Sequence, residues 1–168
     1  MRNRLKGLMV LGVAASVACS STATEAPEAN AGARLGVFVP EAGVTLARQD
    51  FSGMTARERL VVRDAQAWTA VWARIRGAIQ PPPGVIQPDF GEEMAIVAAM
   101  GEKPTGGHSV LIDSVTRHER GVIVYLTETS PGPSCGTFQA ITYPVHAVRA
   151  RRVEGSVWWR ERALTQNC

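Results

Sequence analysis

The chain is expected to fold as a single α+β domain, a mainly antiparallel β-sheet with one amphipathic helix packed on a face. Three observations predict this. Short apolar or alternating runs bounded by Gly and Pro recur at 94–100, 109–115 and 121–127, and such runs read as strands. Trp68, Val71, Trp72 and Ile75 fall at i, i+3, i+4 and i+7, the single stripe of one amphipathic helix. The 168 residues hold no internal repeat and no second core, so there is room for one domain plus a leader.

The leader comes first, at 1–18. Arg2, Arg4 and Lys6 form a basic start, and an apolar run over 8–18 follows. That run is too short for a membrane-spanning helix, which needs about 20 apolar residues. Ser16, Val17 and Ala18 are small residues before Cys19, the pattern of a bacterial lipoprotein signal. Cys19 is then the acylated mature N-terminus, carrying palmitate or a similar chain. Ser16 stands where such signals usually have an aliphatic residue, and an ordinary secretory cleavage is the other reading. Ser20 after the cysteine suits sorting to the outer membrane. Residues 19–34, rich in Ser, Thr, Ala, Glu and Pro, read as a disordered tether. The domain occupies 35–168.

Within the domain, 36–39 is expected to be a short strand ended by Pro40, and 43–51 and 59–63 are strands broken by Gly53. Asp64 suits a helix N-cap, Arg74 and Arg76 suit the negative helix end, and Gly77 suits the stop. The two helical tryptophans are expected in the core. Pro81-Pro82-Pro83-Gly84 is a stiff extended connection. The run 94–100 is apolar throughout, which predicts a central strand. Strands 109–115 and 121–127 form a hairpin through His118-Glu119-Arg120-Gly121. A long strand over 138–149 contains Pro144, which argues for an edge or a bulge. A strand over 157–162 closes the domain, with Trp158 or Trp159 facing in.

Charge and cysteines bound the function. Removing the leader's three basic residues leaves 15 basic against 15 acidic ones, so the mature chain is near neutral. Nucleic acid is therefore not the expected partner. With Cys19 lipidated, Cys135 and Cys168 remain as an even pair in an oxidising compartment. A bridge would pin the 130–136 loop to the last residue; two free thiols are the other reading. No Cys/His spacing matches a zinc site, and no cofactor is expected.

The most distinctive stretch lies between Met100 and Val148. It begins with Lys103-Pro104-Thr105-Gly106-Gly107-His108-Ser109, continues through Ser130-Pro131-Gly132-Pro133-Ser134-Cys135, and ends at Gln139-Ala140-Ile141-Thr142-Tyr143-Pro144. Paired glycines after Pro and Thr mark a tight turn. The arrangement resembles the C-terminal domain of the PrcB family, subunits of bacterial surface protease complexes. The shared features are an apolar run into Pro-Thr-Gly-Gly-aromatic-Ser, a Pro/Gly-rich loop, and a Thr-x-Pro strand. His108 stands where the family more often has tyrosine. The resemblance covers roughly the last two thirds of the chain and implies a non-catalytic role.

Candidate chemistry is sparse. His108 and Ser109 are neighbours in a strand-like stretch, so their side chains point apart, and Asp113 shares a face with Ser109 only. His118 falls in the hairpin turn, and His146 follows the proline-bearing strand. Asp89, Glu92, Glu93 and Glu102 could hold a cation but read as solvated carboxylates. The Gly101–Gly107 stretch lacks the following helix of a phosphate site. Arg149-Ala150-Arg151-Arg152 reads as a solvated face protecting an edge.

The expected function is that of a non-catalytic lipoprotein domain, lipid-anchored in the bacterial cell envelope, that binds and stabilises another secreted protein. The resemblance makes a protease the expected partner and an accessory subunit the expected role. Thr105, Gly106, Gly107, His108, Tyr143 and Pro144 are the candidate partner-binding residues, with Tyr143-Pro144 offering an edge for strand addition. A small-ligand or glycan binder is the alternative, and it requires Trp68, Trp72, Trp158 or Trp159 exposed in a groove.

Overall fold

The computed structural model describes residues 45–77 and 84–168. The leader, Cys19, the tether, the 36–39 strand and Pro81-Pro82-Pro83 lie outside the described residues. The elements run β1 (Thr45–Gln49), β2 (Arg57–Val62), α1 (Ala65–Arg76), β3 (Glu93–Met100), β4 (Ser109–His118), β5 (Gly121–Pro131), β6 (Val145–Arg151) and β7 (Ser156–Gln166). The expectation of one meandering antiparallel sheet is corrected. The strands divide into a four-stranded sheet, β1-β6-β3-β2, and a three-stranded sheet, β4-β5-β7. The first is antiparallel throughout, whereas β7 adds to β5 in parallel.

The division follows from β3, which is buried along Met94–Met100 and therefore needs cover on both faces. Its odd-numbered residues Ala95, Val97 and Ala99 share a cluster with Trp68, Trp72 and Ile75 of the helix. Its even-numbered residues Met94, Ile96, Ala98 and Met100 cluster with Val110, Ile112, Val115, Val122, Val124 and Leu126 of the second sheet. Two different layers thus meet the two parities of one strand.

The helix begins where its cap does: Asp64 is extended, and its carboxylate accepts the Ala67 N–H at 2.7 Å. Gly77 ends the helix in a right-handed conformation, φ −57°, so the stop does not use glycine's left-handed freedom. Trp68 is wholly buried and donates through Nε1 to the Ile86 carbonyl at 2.9 Å. That bond ties the helix to the segment leading into β3.

In β4 the register slips between Ile112 and Ser114, leaving Asp113 as the extra residue of a bulge. The slip lets Val115 face inward on the same side as Val110 and Ile112, although the spacing is odd. The β4–β5 hairpin turns at His118↔Gly121, as expected. At the far end, Trp159 packs against the inter-sheet cluster, while Trp158 meets the His118 ring edge-on at 5.5 Å.

The long strand expected over 138–149 is corrected too. Pro144 has no N–H for a ladder, and β6 starts only at the next residue, Val145. Pro144 contributes its carbonyl instead, accepting the Met100 N–H at 2.9 Å. Nor does it mark an edge, because β6 lies between β1 and β3. The basic run after it is partly engaged: Arg149 pairs with Glu93 at 3.1 Å, and Arg152 donates to the carbonyls of Arg63 and Phe90, both at 2.8 Å.

Cys135 and Cys168 are bridged, 33 residues apart in sequence. Closing a loop of that size contributes about 3–4 kcal/mol in the chain-entropy account. The Gly132 N–H, bonded to the Gln166 carbonyl at 2.9 Å, fastens the same end of β7.

Truncating Trp68 removes the largest wholly buried side chain. The Trp68→Ala variant is expected to lose about 3–5 kcal/mol of unfolding free energy, read from urea midpoints. An unchanged midpoint would show that the helix contributes nothing to the core.

Candidate functional site

Two of the segments singled out in the sequence come together. Lys103 and Thr142 form an isolated bridge, with N–H to carbonyl distances of 2.8 and 2.9 Å. Thr142 is buried, and its hydroxyl donates to the Thr105 carbonyl at 2.8 Å. The Gly106 N–H donates to the Phe138 carbonyl at 3.0 Å. The Thr-Gly-Gly turn is thereby stitched to the strip 138–142.

The two glycines serve different needs. A Cβ on Gly106 would lie 2.0 Å from the Phe138 ring, so that position is empty because the ring occupies it. Gly107 sits at φ +83°, where a side chain is strained, though its nearest neighbours are 3.3 Å away. Gly106 is buried and Gly107 exposed.

Tyr143 links three elements. Its N–H donates to the Asp50 carbonyl at 2.7 Å, its carbonyl accepts from the Ser52 hydroxyl at 2.7 Å, and its own hydroxyl donates to Glu102 at 3.1 Å. The hydrogen bond to Glu102 raises the phenol above its ordinary pKa. Of the six candidate positions, Gly106 and Pro144 are buried. Thr105, His108 and Tyr143 are half-buried, and Gly107 is exposed.

Sequence reasoning missed the surface these residues support. Phe51 and Phe138 are about half exposed, at 49% and 52%, and their rings stand 6.1 Å apart. Phe51 bridges to Tyr143, and Phe138 lies over Gly106. Ile141, on the same strip, is also 52% exposed. The available signal was that Phe51 and Phe138 sit among Ser, Thr, Gly and Gln, outside any sustained alternation. Beside them opens a cleft of about 400 Å³ lined by Arg48, Gln49, Asp50, Gly107, His108 and Ser109. This lining is polar and charged, unlike the mostly apolar walls of small-molecule sites.

The residues weighed for chemistry are dispersed. His108 Nδ1 lies 3.2 Å from the Ser130 hydroxyl, and burial, with the nearby Lys103 charge, lowers its pKa. Asp113 accepts from the Thr127 hydroxyl at 2.7 Å. His118 packs on Trp158. His146 is buried between Thr45 and Ile112. Glu93 pairs with Arg149, and Glu102 receives Tyr143. Among the described residues, no group of three or more His, Cys, Asp or Glu side chains is placed to hold a metal ion. Trp68 and Trp72 are buried and Trp158 and Trp159 half-buried, so the helical pair offers no stacking platform.

Residues 94–150 match the family model described as PrcB C-terminal, the family the sequence resembles. The match runs from β3 into β6 and contains the whole Thr105–Tyr143 construction. The helix, β1, β2 and β7 lie outside it, so the matched span is shorter than the resemblance had implied. No curated protein and no solved structure matches the chain.

Substitutions at the two glycines are expected to separate. Gly107→Ala meets a strained backbone and should cost about 1–2 kcal/mol of stability, whereas Gly106→Ala should chiefly displace the Phe138 ring. Thermal melts and the Phe138 aromatic NMR shifts check this. Equal melts with unmoved Phe138 shifts would dissolve the distinction.

Proposed function

We propose that this chain is a non-catalytic lipoprotein of the bacterial envelope whose domain binds and stabilises another secreted protein, as an accessory subunit of a protease complex. The observation that carries the reading is the exposed Phe51–Phe138 pair, in which Phe138 lies over Gly106 inside the matched span and Phe51, outside it, bridges to Tyr143. Paired aromatics fixed by backbone hydrogen bonds offer apolar area at little cost in side-chain entropy, the character of interface hot spots. Gly106 underlies Phe138 and Tyr143 bridges to Phe51, and with Thr105, Gly107, His108 and Pro144 they make up the candidate contact residues. The helix, laid on a face of the four-stranded sheet, is structural and takes no part in capture. Strand addition at Tyr143-Pro144 drops out of the reading, because the Tyr143 N–H already donates to the Asp50 carbonyl and the Pro144 carbonyl already accepts the Met100 N–H. Cys19 carries the lipid anchor and places the domain at the outer membrane.

Two measurements test this. Full-length tagged chain, incubated with envelope extract, is expected to recover one secreted protease in stoichiometric amount. The Phe138→Asp variant should lose that recovery at least about 30-fold, as for a hot spot worth about 2 kcal/mol or more, with an unchanged melt. Equal recovery by both proteins would remove the aromatic pair from the interface. Separately, mass spectrometry of the mature N-terminal peptide should find Cys19 acylated; an unmodified cysteine there would remove the anchor.

A further inference from the structure

His146 is the feature that neither the fold nor the docking surface explains. It projects from β6 opposite Ala98 of β3 and Arg48 of β1, and is only 3% exposed. Ala98, like the neighbouring Val148 of β6, belongs to the apolar layer between the two sheets. A polar ring in that layer must have its hydrogen bonds made. Both nitrogens are engaged: Nδ1 accepts the Ile112 N–H at 2.9 Å, and Nε2 lies 3.2 Å from the Thr45 hydroxyl. An amide can only donate, so Nδ1 holds a lone pair, the proton is on Nε2, and the ring is neutral. The imidazole therefore joins β1 and β6 of one sheet to β4 of the other.

We propose that His146 is an acid-released latch: a proton taken up at Nδ1 eliminates the acceptor for the Ile112 N–H and lets β4 part from β1 and β6 while the rest of the domain stays folded.

The opening is local because the opposite side of the sandwich is held differently. There Arg57 and Arg59 of β2 pair with Glu128 of β5 and Glu161 of β7, Arg57 with Glu128 at 3.0 Å and Arg59 with Glu161 at 2.9 Å. Of those groups Glu161 is held below the ordinary carboxylate range, burial being outweighed by the hydrogen bonds and charges of Arg59 and Arg57, so its pairing outlasts that of a free carboxylate as pH falls. Around His146 the charged groups are Arg48 on β1 and Asp113 at the β4 bulge. Burial is the main influence, pushing the ring down to about 4 from 6.5; Arg48 acts the same way, and Asp113 opposes both. The Asp113 carboxylate is engaged by Thr127. Since the folded value is depressed, the tie is fully effective above pH 6.5 and is lost as pH falls toward 4. The seam underlies Arg48, His108 and Ser109 at the cleft, so acid would loosen that wall; the latch itself requires no partner.

Amide hydrogen exchange by NMR at pH 6.5 and 4.5, corrected for intrinsic rates, tests the proposal. Protection at Ile112 is expected to fall roughly 10- to 100-fold, with Val97 in the central strand unchanged, while the His146 ring titrates below its ordinary value. In His146→Gln, a non-titrating side chain, the Ile112 response should vanish. Constant Ile112 protection, or equal loss at Val97, would overturn the latch. Should the variant not fold, the comparison of Ile112 with Val97 in the unaltered protein decides alone.

Discussion

The structure depends on one constraint, the burial of β3 on both faces. A strand with one wet face can alternate; Met94-Ala95-Ile96-Val97-Ala98-Ala99-Met100 cannot, because each parity meets a different apolar layer. The alanines on the helix side leave room for Trp68 and Trp72, whose rings lie 5.5 Å apart. On the other side Met94, Ile96 and Met100 reach across to β4 and β5. Each face of β3 thus joins a separate buried cluster.

The seam between the sheets is apolar in the middle and polar at both sides, and the two polar ties differ in kind. The Arg57, Arg59, Glu128 and Glu161 group combines exposed and shielded members; Arg59 is 11% exposed and also donates to the Ala99 carbonyl at 2.8 Å. Such a group fixes the approach of the sheets more than it adds stability, since charge attraction is offset by desolvation. His146 avoids that desolvation by remaining neutral, and it accepts the Ile112 N–H only while it does. One tie is made by opposite charges and the other by a neutral ring.

Much of the fold was legible because some signals are local. The helix was readable from Asp64 and one stripe, and the hairpin from the turn at 118–121, since capping and turn chemistry act within a few residues. The partition into two sheets was not, because alternation tells which residues face in but not which strands pair. The parallel addition of β7 to β5 is likewise a matter of long-range pairing. Pro144 was a correct signal given the wrong consequence. A missing N–H forbids ladder membership at that residue, which an edge satisfies, but so does starting the strand one residue later. The β4 bulge was present in the sequence as Val110, Ile112 and then Val115, a break in period that only a slip can reconcile with one buried face.

The site was legible as scaffold and not as surface, for a physical reason. Thr105, Gly106, Thr142 and Pro144 belong to a recognisable pattern because backbone geometry dictates them: a carbonyl to be met by a buried hydroxyl, a gap to be filled by a ring, an amide to be absent. None of these needs meets solvent. The groups that do, Phe51, Phe138 and Ile141, obey no local rule, since an exposed apolar side chain contributes little to its own fold. The position of Phe138 is set by the Gly106 turn and that of Phe51 by its bridge to Tyr143, whereas no local rule sets their identities. A pattern of turn residues can therefore fix where an exposed ring such as Phe138 stands without dictating which residue stands there.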